Sequence, residues 1–74
     1  MKLNLLSCVA PKPDKRAIAN CIATIAISVD ESLSNELTTI LLEGDLIDIE
    51  INPKNSSSSF RALRKLGIDY EIVD

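Results

Sequence analysis

Seventy-four residues, 46% hydrophobic and 26% charged, suffice for one domain with a modest core and leave no room for a second domain or a deeply enclosed active site. With one Phe, one Tyr and no Trp the core must be aliphatic, and two Cys without any His exclude Cys/His metal sites and Cys–His nucleophile pairs, so no metal or cofactor is expected. A net charge of −3 and few aromatics to stack bases argue against direct nucleic-acid binding, and no apolar run nears the ~20 residues of a membrane span.

The start, MKLNLLSCVAPKPDKR, places its charges after a short apolar stretch, unlike a secretory signal, so a cytoplasmic setting is expected. Residues 2–9 are mostly apolar and end at the turn-forming Pro11-Lys12-Pro13, the pattern of a short buried strand. Pro13 suits the first turn of a helix. Ile18, Ile22 and Ile25, with Cys21 beside them, recur at spacings of four and three and predict that helix over residues 14–27, facing a core. Ala17, Ala19, Ala23 and Ala26 make it apolar over more than half its circumference, as in a helix covered on two sides or held at an interface. Cys8 and Cys21 are expected as small buried hydrophobes, with a disulfide the alternative.

Ser28-Val29-Asp30-Glu31 has the form of a capping box, which predicts a second helix starting at Ser28. Its core stripe is read as Leu33, Leu37, Ile40 and Leu41, and Gly44 supplies the left-handed residue that ends it near Glu43. Residues 46–51 alternate Ile47, Ile49 and Ile51 with Asp48 and Glu50, the period of a strand with one wet face, and Asn52-Pro53 turns it. The serines 56–59 read as cap and loop before a third helix, whose buried stripe is Phe60, Leu63 and Leu66 and whose stop is Gly67. A last strand alternates Ile68, Tyr70 and Ile72 with Asp69 and Glu71. The order β-α-α-β-α-β predicts an α+β, two-layer sandwich: a three-stranded sheet with helices on one face, the first strand lying between the other two and antiparallel to both.

This order, with ISVDESLSNELTTILLEG in the second helix and FRALRKLGIDYEIVD at the end, resembles the C-terminal domain of the bacterial ribosomal stalk protein over nearly the whole chain. The ending Leu66-Gly67-Ile68-Asp69-Tyr70-Glu71-Ile72 is similar to that family's A-G-A-x-V-E-V type ending. The adaptor of the bacterial Clp protease shares the fold, so the resemblance implies docking on other proteins without selecting a partner. In the stalk family basic and aliphatic residues of the first two helices recruit translational GTPases; Lys15, with Arg16 beside it, matches the first basic position, whereas the later ones fall on Asn20 and Ala23 and the G-L-G-L turn becomes Ser28-Val29-Asp30-Glu31.

Two charged groups are candidate binding residues. Asp48, Glu50, Asp69 and Glu71 should project from one open sheet face, with Glu43, Asp45 and Asp74 near its ends, forming either a surface for a basic partner or a face kept soluble by charge. Lys12, Lys15 and Arg16 gather at the entry to the first helix, and Arg61, Arg64 and Lys65 form the wet face of the third. Carboxylates on an open face lack the pocket that would separate their pKa values for acid–base work, and no G-x-S-x-G elbow or Gly-rich phosphate loop is present, so no catalytic residue and no enzyme activity are expected. The leading expectation is a small adaptor or inhibitor of a host macromolecule, of the kind phages and mobile elements encode. The alternative is a self-associating, homodimeric component that buries Ala19, Ala23 and Ile27 of the first helix against a copy of itself.

Overall fold

Alternation drives the central strand: in β1 (Lys2–Cys8), Leu3 and Leu5 are fully buried while Lys2 and Leu6 face solvent. The computed structural model describes residues 1–73. β1 is followed by helices α1 (Lys15–Ile25) and α2 (Glu31–Leu42), strand β2 (Ile47–Glu50), one 3-10 turn (Pro53–Asn55), helix α3 (Ser56–Lys65) and strand β3 (Ile68–Ile72). The sheet order is β2-β1-β3, with both outer strands antiparallel to β1, so the fold is the α+β sandwich the sequence predicts. Leu3 and Leu5 of β1, Ile18 and Ile22 of α1, Leu41 of α2, Ile47, Ile49 and Ile51 at β2, Leu63 of α3 and Ile68 of β3 form one core between the helices and one face of the sheet. Full burial of each Leu or Ile contributes about 1.5–3 kcal/mol.

Several local devices differ from the sequence reading. Pro13 lies outside α1; Asp14 is the cap, its carboxylate accepting from the Ala17 amide at 3.1 Å. The helix stops at Ile25 because Ala26 turns extended and bridges Ile51, while the Ile27 amide donates to the Glu50 carbonyl at 2.7 Å. Pairing with the end of β2 thus replaces the last helical turn.

There is no capping box at Ser28, which adopts a left-handed φ of 61° and reverses the chain. Asp30 caps α2 by accepting from the Leu33 amide at 2.8 Å. α2 ends as predicted at Gly44, whose φ is 100°: the Gly44 amide reaches Leu41 and the Asp45 amide reaches Ile40. The serines 56–59 are neither cap nor loop but the first turn of α3, entered from the 3-10 turn, which Asn52 caps by accepting from the Lys54 amide.

The largest correction concerns α2. Its buried residues are Ser34, Thr38 and Leu41, one position around from the expected stripe; Leu33 and Ile40 are exposed and Leu37 is half-buried. Small hydroxyl residues let α2 approach α1 closely, and both are satisfied, Ser34 Oγ donating to the Ala19 carbonyl and Thr38 Oγ1 to the Ser34 carbonyl, each at 2.7 Å. α1 is therefore covered by α2 as well as by the core. Ala19, expected at a self-association surface, lies inside the domain.

Candidate functional site

The open face of the sheet follows from the β1 register. Asn4 is paired with Asp48 on one side and Glu71 on the other, so the three form a row across all three strands, and Asn4 Nδ2 donates to Glu71 Oε1 at 3.3 Å. Lys2 is paired with Glu50 in the next row. At the far end a bulge between Leu5 and Ser7 sets Ser7 against Asp69. Asp48, Glu50, Asp69 and Glu71 are all exposed, and no helix covers them. The structure thus brings together the four acids singled out in the sequence. Glu43 and Asp45 are exposed in the turn before β2, and Asp74 lies outside the described residues.

Two features of this face were missed. Lys2 lies among the carboxylates, and its place is legible only once β1 is known to run antiparallel to β2. Leu6 at the bulge, Leu46 before β2 and Val73 after β3 are exposed apolar residues; alternation from Ile47 and Ile72 assigns the last two to the open face. The face is therefore acidic with apolar margins, a composition suited to excluding water from a partner while selecting positive charge.

The basic residues collect elsewhere. Lys12, Lys15 and Arg16 are exposed at the entry to α1, and Arg61, Arg64 and Lys65 are exposed on α3. The Val9 amide donates to the Gly67 carbonyl at 2.8 Å, and Ala10 lies against Gly67, so the loop that begins α1 is pinned to the turn that ends α3. This contact sets the loop that carries Lys12 and leads to Lys15 and Arg16 beside the turn that follows Arg64 and Lys65, the last two residues of the α3 basic group. Sequence reading treated them as two groups because the long-range contact that joins them is made by Val9, Ala10 and Gly67, which carry no charge.

Cys8 and Cys21 are both free and half-buried rather than buried, and Cys8 Sγ donates to the Leu66 carbonyl at 3.6 Å. Burial pushes the Cys21 thiol above its ordinary pKa, which favours the unreactive neutral form. Among the described residues there is no enclosed pocket, no group of three His, Cys, Asp or Glu side chains that could hold a metal ion, and no helix long and apolar enough to cross a membrane. Comparison of the chain with protein-family models, with curated proteins and with solved structures returns no match.

Proposed function

We propose that this domain is a non-catalytic adaptor or inhibitor that works in the cytoplasm by binding a basic surface of another protein through the open face of its sheet. The observation that carries this reading is the uncovered sheet face bearing the exposed acids Asp48, Glu50, Asp69 and Glu71, with Leu6, Leu46 and Val73 exposed at its margins. Such a face combines long-range steering of a cationic partner with apolar area to bury once it docks. The stalk-domain resemblance also supports a docking role, but through Lys15 and Arg16, on the helical layer. Nucleic acid is a poor partner for the acidic face, because phosphates would meet like charge.

Protein capture on the immobilised domain, repeated at low and moderate salt and identified by mass spectrometry, tests the proposal. A specific protein partner whose retention falls steeply with salt supports a charge-steered face. Retention indifferent to salt, or capture of nucleic acid in place of protein, contradicts it.

A further inference from the structure

The two edges of the sheet differ. At β2 the edge is partly taken, because Ala26 bridges Ile51 and the Ile27 amide donates to Glu50. At β3 it is open. The Val73 amide donates to the Lys2 carbonyl at 3.0 Å, which makes that pair a hydrogen-bonded one. Antiparallel alternation then makes Asn4 and Glu71 the next hydrogen-bonded pair and turns the N–H and C=O of Tyr70 and Ile72 away from β1, toward the edge. Among the described residues no backbone hydrogen bond takes them. A strand laid there would gain main-chain hydrogen bonds, and its side chains would alternate between the acidic face, beside Asp69 and Glu71, and the helical side, beside half-buried Tyr70 and exposed Ile72.

A second copy fits this edge badly in the registers that overlap β3 most fully. Antiparallel pairing of two β3 strands centred on Tyr70 opposes Asp69 to Glu71, and pairing centred on Glu71 opposes Glu71 to itself; like charges directly opposite are destabilising. We infer that the β3 edge takes an extended segment of the partner, alternating Lys or Arg with apolar residues, as a fourth strand. The inference rests on the sheet-face reading above and supplies the partner's local chemistry.

Selection of short random peptides displayed against the full chain tests it. The expected winners alternate basic and apolar residues, and their affinity falls about tenfold when Asp69→Lys and Glu71→Lys are combined, and falls less with Asp48→Lys and Glu50→Lys, whose carboxylates share the sheet face but do not flank the added strand. N-methylation of alternate peptide amides should abolish binding in one phase and spare it in the other, because only one set of amides faces β3. Matched urea midpoints for the variants exclude unfolding as the cause. Peptides that tolerate N-methylation at every position, or that are lost only with the Asp48 and Glu50 changes, overturn the strand inference and leave the sheet-face reading standing. Winners indifferent to both pairs of changes overturn both readings, and a selection without winners overturns the strand inference.

Discussion

The hydroxyl of Ser34 in α2 donates to the carbonyl oxygen of Ala19 in α1 across 2.7 Å, so the two helices are joined there by a buried polar contact between small residues. Ser34→Ala should cost about 1 kcal/mol, the worth of one satisfied hydrogen bond with little loss of volume. Ser34→Leu, which makes the residue more hydrophobic, should cost more, about 1–3 kcal/mol, because the added methylenes must push the helices apart. Urea unfolding followed by circular dichroism ranks the two; a Leu variant as stable as wild type would contradict the close packing.

That joint shows where the sequence was legible and where it was not. The Ile47, Ile49 and Ile51 alternation located β2, and the Ile18–Ile22 spacing located the buried face of α1, because large apolar side chains announce the face they bury. α2 misled because hydroxyl residues count as polar in any periodicity. Ser34 and Thr38 can nonetheless be buried once each finds a carbonyl, and only the position of α1 reveals that Ser34 does. The caps misled for a similar reason: Ser28 and Asp30 both precede a helical run, and the bridge between Ala26 and Ile51 decides which of them starts the helix. Of the candidate site, the four acids were legible from period two alone. Lys2 and the joining of the two basic groups depend on contacts distant in sequence.

The two glycines separate backbone strain from crowding. Gly44 has a φ of 100° and open space around it, so Gly44→Ala should cost only the left-handed strain, about 1–2 kcal/mol. Gly67 has a φ of 77°, and a methyl there would lie 3.0 Å from the Ala10 side chain and 3.1 Å from its amide nitrogen, so Gly67→Ala should cost about 1–3 kcal/mol beyond that. Equal losses in urea midpoint would contradict the close approach of β1's exit loop to the end of α3.

Phe60 of α3 and Tyr70 of β3 stack with ring centroids 4.9 Å apart and planes 9° from parallel. A double-mutant cycle with Phe60→Leu and Tyr70→Leu should return a coupling of about 0.5–1.5 kcal/mol. Additive losses would show that the rings bury area without recognising each other.

Cys21 makes the domain sensitive to alkaline pH. Its folded-state pKa is raised by burial, so the native state holds the thiol proton more tightly than the unfolded chain does. Its contribution is fully present below the unfolded pKa and is lost as pH rises through the raised folded value. Comparison with Cys21→Ala across that alkaline range should show the wild type losing stability faster, and alkylation of Cys21 should require a higher pH than that of a free thiol. Parallel stability curves would contradict the assignment.

The most direct test of the account is to capture the partner on paired charge reversals. Asp48→Lys with Glu50→Lys and Lys15→Glu with Arg16→Glu alter only exposed side chains, so each pair should leave the unfolding free energy measured in urea within about 1 kcal/mol of wild type. If the open sheet face is the docking surface, the first pair abolishes capture and the second retains it. Capture kept by the first pair and lost by the second would contradict the account and assign docking to the helical layer.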